Sequence, residues 1–236
     1  MAKSSASPDP TPAFTGMPKG GLTFLRSLAR NNNRAWFHEH KKRYQTQVRD
    51  PFAVFLDALS ETPEARAVGY WGGSHTMFRV YRDVRFSKDK KPYQTHVSGL
   101  LTPTGEKEET GPIVYAHMDA KGGFCAAGMY ALPTTRLKVL RQRVVDKPAE
   151  AKKLVAALGK AGLEIDPSGS LKRMPRGFEA HAEHEHAGLL RLRHWIVREP
   201  VSAEQWTSGA VLIDVARFIG RATPLLAFGK KALGRA

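Results

Sequence analysis

The sequence predicts an α+β fold, a mainly antiparallel sheet flanked by N-terminal and C-terminal helices. Apolar residues recur every three or four positions in residues 22–59 and again in residues 211–219, as in amphipathic helices. Between these stretches, residues 77–130 contain short extended segments separated by glycine-rich turns, as in antiparallel strands. No internal repeat or break in composition divides the 236 residues, so a single α+β domain is expected over residues 19–236.

The start of the chain and its cysteine content predict the compartment. Residues 1–18 are rich in Ser, Pro and Ala and lack the apolar core of a signal peptide, so a disordered leader is expected. No later segment is apolar over about twenty residues, so no membrane span is predicted. Cys125 is the only cysteine, which excludes an intramolecular disulfide and a cysteine-built zinc site. These features predict a cytoplasmic protein.

The N-terminal helices are predicted from apolar spacing and boundary residues. Leucines three positions apart in residues 22–28 indicate a first helix, and the three asparagines at 31–33 end it and cap the next. An aromatic and apolar stripe over residues 37–59 predicts one long helix or two in series, with these rings in the core. Asp50 and Pro51 mark the joint, because Asp caps helices and Pro is tolerated only in a first turn.

The strands are predicted from alternation. Residues 77–86 alternate, which predicts a strand or a strand that ends near Tyr81 and continues as a loop. Three further extended segments, joined by short turns, indicate an antiparallel meander. They cover residues 96–101, 113–119 and 124–130.

The C-terminal half is predicted to alternate helices with one strand. Helices are expected over residues 134–145 and 148–158, then an irregular region, a helix near 188–192 and a strand over 195–198. Ser202 and Gln205 form a capping box before the closing helix.

Residues 78–96 carry the densest chemistry in the chain. They contain six Arg or Lys against two Asp, interleaved with aromatic residues. The whole chain has 37 Lys and Arg against 22 Asp and Glu, a net charge of +15, which attracts anions. Because guanidinium groups grip phosphate or carboxylate oxygens in pairs, this segment predicts a site for an anionic, phosphorylated ligand.

Three motifs together resemble a known family. Residues 31–37 (NNNRAWF), 78–96 (FRVYRDVRFSKDKKPYQTH) and 171–178 (LKRMPRGF) are similar to those of the domain of unknown function 2461 family, and the resemblance covers about residues 14–230. That family of conserved hypothetical proteins implies no activity. The resemblance does imply that residues 173–177 and the glycines at 123 and 128 share a surface with residues 79–96.

The predicted ligand-binding residues combine the basic segment with the third motif, residues 171–178. They are Arg79, Arg82, Arg85, Lys88, Lys91, Tyr93, Arg173 and Arg176. In the competing structural interpretation, Arg82-Asp83 and Lys88-Asp89 are internal ion pairs that fix a loop, and the segment is a rigid wall of a protein-interaction module.

Two further functions stay open at this point. A phosphate-directed hydrolase or transferase would need a base or nucleophile beside the anion, and the available groups are Asp83, His96, His117 and Asp119. A nucleic-acid surface would use the same basic and aromatic residues. The sequence does not fix a cofactor, an oligomeric state or whether any reaction occurs.

Two other groups are interpreted without a functional role. The histidines at 181, 184 and 186 are interpreted as solvated side chains, so no metal site is assigned. Cys125 is interpreted as a small buried residue and not as a nucleophile.

Overall fold

A computed structural model of the chain describes residues 13–107 and 110–234, and it contains one four-stranded antiparallel sheet. Its strands are neighbours in chain order and are β1 (His96–Leu101), β2 (Ile113–Asp119), β3 (Gly122–Met129) and β4 (Trp195–Ser202). The α+β prediction and the meander are therefore confirmed.

Helices precede, interrupt and follow the sheet. The first four are α1 (Lys19–Arg30), α2 (Arg34–Tyr44), α3 (Asp50–Ser60) and α4 (Pro63–Val68). Those between β3 and β4 are α5 (Thr134–Asp146), α6 (Pro148–Lys160) and α7 (Ala187–Arg191), and those after β4 are α8 (Ala203–Trp206) and α9 (Ala210–Leu233). No helix in residues 13–107 or 110–234 is long and apolar enough to cross a membrane.

The helix boundaries follow the capping chemistry of the sequence. Asn33 accepts a hydrogen bond from the amide of Trp36 at 3.0 Å, as predicted for the cap of α2. The capping box is also confirmed, since Ser202 and Gln205 exchange side-chain to backbone hydrogen bonds. Helix α3 begins at the predicted joint, Asp50 and Pro51, but Asp50 is its first residue and not its cap. A π-helical turn over Gln45–Arg49 connects α2 to α3, so the helical path continues without a break.

Helices cover one face of the sheet and form the core with it. Trp195 of β4 stacks on Phe228 of α9 with ring centroids 5.8 Å apart. On β1, a Cβ at Gly99 would lie 2.5 Å from Leu56 of α3, so a glycine is needed for this close approach. The predicted aromatic stripe of α2 and α3 is buried in this core.

The end of the predicted leader packs on the domain. Residues 1–12 lie outside the described residues. Phe14 contacts Phe55 with ring centroids 5.3 Å apart, and Met17 is 2% exposed and donates its amide proton to Trp206 at 2.7 Å. Phe14 and Met17, at the end of the predicted leader, therefore pack against the core.

Residues 77–86 form no regular strand, neither over their whole length nor as far as Tyr81. Only single bridges occur, between Met77 and Gly99 of β1 and between Tyr81 and Tyr93. The chain leaves β1 after Phe78 and folds back on itself, because Arg82 and Gln94 donate backbone hydrogen bonds within this segment, to Pro92 and Val80. The segment is an irregular hairpin-like loop, and we name residues 78–94 the basic loop.

Candidate functional site

The sheet face opposite the helices carries a cleft of about 860 Å³. The basic loop bounds it beside β1, where the amide of Phe78 donates to the carbonyl of Ser98 at 2.9 Å. A short loop over residues 166–169 bounds it beside β4, where the amide of Asp166 donates to the carbonyl of Ile196 at 2.8 Å. Two loops far apart in sequence thus become the two walls of one site.

The register of the sheet sets the floor of the cleft. Leu100, Tyr115, Ala126 and Arg198 lie opposite one another across the four strands, and all of them line the cleft. Because side chains alternate between faces along a strand, the residues two positions away share this face. The small side chain of Ala126 leaves depth at the centre of the floor.

The basic loop is held by its own ion pairs. Arg82 lies 2.8 Å from Asp89, and Arg85 lies 2.7 Å from Asp83. Lys90 adds hydrogen bonds to two loop carbonyls. The structural interpretation of this segment thus predicted ion pairs correctly but chose wrong partners for Arg82 and Asp89, because the chain turns back and brings Asp89 to Arg82.

The unpaired positive charge of the cleft lies beside β1. Arg79 lines the cleft and forms no hydrogen bond or ion pair with the described residues. Lys107 also lines it and donates to the carbonyl of Met77 at 3.2 Å, which leaves two of its ammonium protons for another acceptor. Arg82 lines the same wall with its counterion Asp89 behind it.

The opposite wall is polar and internally paired. Asp166 accepts a hydrogen bond from the amide of Ser168 at 2.8 Å and forms an ion pair with Arg198, whose Nε lies 3.2 Å away. The bonds from Ser168, then the charges of Arg198 and His194, hold the pKa of Asp166 below its usual value. An ionised acceptor thus faces the unpaired cations across the cleft.

Two histidines, His96 of β1 and His117 of β2, stack on each other next to the end of the basic loop. The His117 ring stacks between those of His96, at 4.2 Å, and Phe124, at 4.8 Å. Its Nδ1 is 3.0 Å from the hydroxyl of Tyr115, and its Nε2 is 3.8 Å from Asp119. Burial, then the neighbouring His96, lowers the pKa of His117 to about 4, and burial also lowers the pKa of His96. Both imidazoles are therefore neutral at pH 7.

Comparison with known proteins supplies the family. The family model DUF2461, described as a conserved hypothetical protein, matches residues 21–228. The chain belongs to the DUF2461 family. The match includes all four strands, the basic loop and residues 166–169, so the whole cleft lies within the DUF2461 region. No curated protein and no solved structure matches this chain.

The structure brings together part of the residue set predicted for this DUF2461 chain. Arg79, Arg82, Asp83, His96 and Gly128 line the cleft. His117 and Asp119 lie on the same face of β2, as predicted, but neither is among the lining residues.

The other predicted ligand-binding residues lie outside the lining of the DUF2461 cleft. Arg85, Lys88 and Lys91 are exposed on the outer part of the basic loop. Tyr93 is 5% exposed and stacks on Phe37 with ring centroids 4.1 Å apart, so it is a core residue.

The third motif of the resemblance, residues 171–178, is also separate from the cleft lining. Arg173 and Arg176 are exposed in the connection between α6 and α7, and neither they nor Gly123 line the cleft. Of the positions that the resemblance adds to this surface, Gly128 lines the cleft and residues 173–177 do not.

Several lining residues of the DUF2461 cleft were missed by sequence reasoning. Tyr115 could have been found, because alternate residues of a strand share a face and it lies on the same face of β2 as His117 and Asp119. Lys107 lies in a loop, and Asp166 and Arg198 are distant in sequence from the basic loop. Only the tertiary fold places these three in one site.

Cys125 and the histidines at 181, 184 and 186 lie outside the cleft lining. Cys125 is buried as predicted, and burial, followed by the charge of Glu199, raises the pKa of its thiol to about 12. Within the part of the chain that the structure describes, no group of three or more His, Cys, Asp or Glu is arranged to hold a metal ion.

Proposed function

We propose that this protein binds a small anionic ligand, of the phosphorylated metabolite class, in the cleft. The observation that carries the proposal is the state of Arg79, which lines a concave surface and forms no hydrogen bond or salt bridge with the described residues. The charge of Asp83 acts on it only at longer range. A guanidinium in this position offers paired donors and a permanent positive charge to a phosphate or carboxylate. The Arg79 side chain is exposed at the cleft, so it is accessible to an anionic group of a ligand.

Lys107 and Arg82 add two positive charges to the wall that carries Arg79, so all three would bind the anionic group of the ligand. Lys107 is tied to the carbonyl of Met77, two residues before Arg79, so the ammonium and the guanidinium belong to one wall. Arg82 is oriented by Asp89 and contributes a third cation with a fixed position. Fixed donors lose less conformational freedom on binding than mobile surface side chains do.

The size of the cleft supports a small molecule over a polynucleotide. Its volume of about 860 Å³ lies within the range of small-molecule sites. A single strand of nucleic acid instead needs a long basic groove that follows its backbone. Here the residues 166–169 close the side opposite the cations.

The candidate catalytic groups are arranged for binding more than for proton transfer. Asp83 lines the cleft, but hydrogen bonds from Arg85 hold the pKa of its carboxyl below the usual value, so it does not act as an acid. The Nδ1 of His117 is engaged with Tyr115, whose own pKa is raised by burial. A phenol with a raised pKa does not transfer its proton to an imidazole with a lowered one, so we propose binding without assigning a reaction.

Titration of the protein with inorganic phosphate, ribose 5-phosphate and a single-stranded oligonucleotide tests this proposal. Calorimetry should detect saturable binding of ribose 5-phosphate, and this ligand should raise the unfolding temperature because it binds only the folded state. Arg79→Ala should weaken binding about tenfold or more, since it removes a charged hydrogen-bonding pair. Arg217→Ala, which removes an exposed arginine of α9, is the matched control and should bind as wild type does.

Two outcomes would overturn the proposal. Equal affinity in wild type and Arg79→Ala would remove this side chain from the site. Salt-sensitive binding of the oligonucleotide together with no binding of either small anion would favour the nucleic-acid interpretation.

A further inference from the structure

The end of the cleft beside β4 carries an aromatic pair that anion binding does not use. Tyr130 and His194 both line the cleft, and their rings stack with centroids 4.4 Å apart and planes 23° apart. The Tyr130 side chain is not core packing, because the residue is 60% exposed. An exposed aromatic ring held in a fixed plane at a concave surface is a stacking platform for another ring.

The backbone beside this pair is held in an unfavourable conformation. Ala131 has a φ of 51°, and no other non-glycine residue in 13–107 or 110–234 has a positive φ. Its amide donates to Nδ1 of His194 at 3.0 Å. Such conformations persist only where surrounding contacts enforce them, and they concentrate at ligand sites.

This hydrogen bond also fixes the chemistry of His194. Because Nδ1 accepts a hydrogen bond from the backbone amide, the neutral ring carries its own proton on Nε2. The imidazole therefore has one donor left, and the stack on Tyr130 limits its rotation.

Asp166 gives the same end a hydrogen-bond acceptor. Its side chain is only 13% exposed, yet it lines the cleft. Its Oδ1 accepts from the amide of Ser168, and its Oδ2 is paired with the charge of Arg198. A carboxylate has about four lone-pair positions, so acceptor capacity remains for a donor on a ligand. A ring N–H or an amino group matches this need.

The two ends of the cleft are separated by the width of the sheet. Phe78 is bonded to the outer edge of β1, and Asp166 is bonded to the outer edge of β4. Four strands at their usual spacing span about 14 Å. The ligand therefore has to be elongated, with its charge at one end and its ring at the other.

We propose that Tyr130 and His194, together with Asp166, form a ring-binding subsite, so that the ligand is a heteroaromatic anion of the mononucleotide type. Its phosphate lies at Arg79 and Lys107, its ring stacks on Tyr130, and a ring or amino N–H donates to Asp166. This inference rests on the proposed function and adds the class of ligand to it.

Calorimetric titration with the four ribonucleoside 5′-monophosphates, ribose 5-phosphate and phenyl phosphate tests the subsite. We expect the best mononucleotide to bind wild type about tenfold more tightly than ribose 5-phosphate, because stacking of one base contributes that much. Tyr130→Ala should lose this advantage while its affinity for ribose 5-phosphate stays as in wild type. Tyr130→Phe should keep the advantage, since the ring remains.

Two controls separate ring recognition from damage to the fold. Phe86→Ala removes an aromatic side chain that is 95% exposed and lies outside the cleft lining, and it should bind the mononucleotide as wild type does. Arg79→Ala should weaken the mononucleotide and ribose 5-phosphate alike. Phenyl phosphate should bind less tightly than the best mononucleotide, because its ring has no N–H donor for Asp166.

The results that would contradict the ring-binding subsite differ from those that would contradict the proposed function. If ribose 5-phosphate binds as tightly as every mononucleotide and Tyr130→Ala changes nothing, the ring subsite is wrong and anion binding stands. If Tyr130→Ala weakens ribose 5-phosphate and the mononucleotide equally, Tyr130 supports the cleft in general, and the inference is again overturned. If none of these anions binds wild type, the proposed function fails, and the inference fails with it.

Discussion

Arg82 and Asp89 close the basic loop from opposite sides. Nη1 of Arg82 lies 2.8 Å from the Asp89 carboxylate and also donates to the carbonyl of Lys91 at 3.1 Å. Arg82 lines the cleft, whereas Asp89 lies outside it. The pair therefore links the outer turn of the loop to the position of a cation in the proposed site.

Asp89→Ala should weaken anion binding several-fold and change stability little. An exposed ion pair contributes about 1 kcal/mol or less to stability, but the loss of orientation at Arg82 affects a group that must meet its ligand. Calorimetry with ribose 5-phosphate and thermal unfolding of the same variant give the two values. Tighter binding by Asp89→Ala would instead mean that Asp89 competes with the ligand for Arg82.

Tyr93 was predicted from the sequence to bind the ligand, but the structure places it in the core. Tyr93→Phe should leave both ligand affinity and stability close to wild type, because no described hydrogen bond uses its hydroxyl and the ring stacks on Phe37. Tyr93→Ala should destabilise the fold by about 3 kcal/mol, as is usual for loss of a buried ring. Urea unfolding and ligand titration measure both effects. Lost affinity in a stable Tyr93→Phe would restore this hydroxyl to the site.

His117 should make the protein lose stability in acid. Burial, then the charge of His96, lowers its pKa from 6.5 to about 4 in the folded state. The unfolded chain therefore binds more protons between these two pH values, so the free energy of unfolding falls as the pH decreases from 6.5 to 4. The shift corresponds to about 3 kcal/mol, which is fully present above the unfolded pKa and lost below the folded one.

Urea unfolding of His117→Phe at a series of pH values checks this dependence. The phenyl ring keeps the stack on Phe124 but does not titrate, so the pH dependence attributed to His117 should disappear. His38→Gln, which removes an exposed histidine of α2, should keep the wild-type slope. An unchanged slope in His117→Phe would assign the acid sensitivity to other groups.

Local patterns predicted much of the fold because they depend on near neighbours along the chain. The alternation along β2 placed His117 and Asp119 on one face, and the cap at Asn33 set the start of α2. The prediction for residues 77–86 failed because alternation does not show whether a segment has a partner strand. Here hydrogen bonds within the basic loop replace most of a ladder with β1.

Which residues form the site depends on tertiary contacts, and the spacing of residues along the sequence does not show these contacts. Six basic residues in one segment indicated an anion site, but only the fold decides that Arg79 faces the cleft while Arg85 pairs with Asp83. Tyr130 and Asp166 come from segments without a charge pattern. They reach the site because β3 and β4 are neighbours in the sheet.

Gly123 of β3 should tolerate no side chain. It has a φ of 140°, and a Cβ at this position would lie 1.9 Å from the carbonyl oxygen of His117 on β2. Backbone atoms of a paired strand do not move aside as a flexible side chain does, so the ladder between β2 and β3 would have to open. Gly123→Ala should therefore destabilise the protein by about 2 kcal/mol or more, measured by urea unfolding.

Gly188→Ala is the matched control, because a Cβ there meets nothing within 4 Å and alanine favours helix α7. The stability of this variant should equal or exceed that of wild type. Equal stability of the two variants would show that the backbone of β3 can rearrange at Gly123.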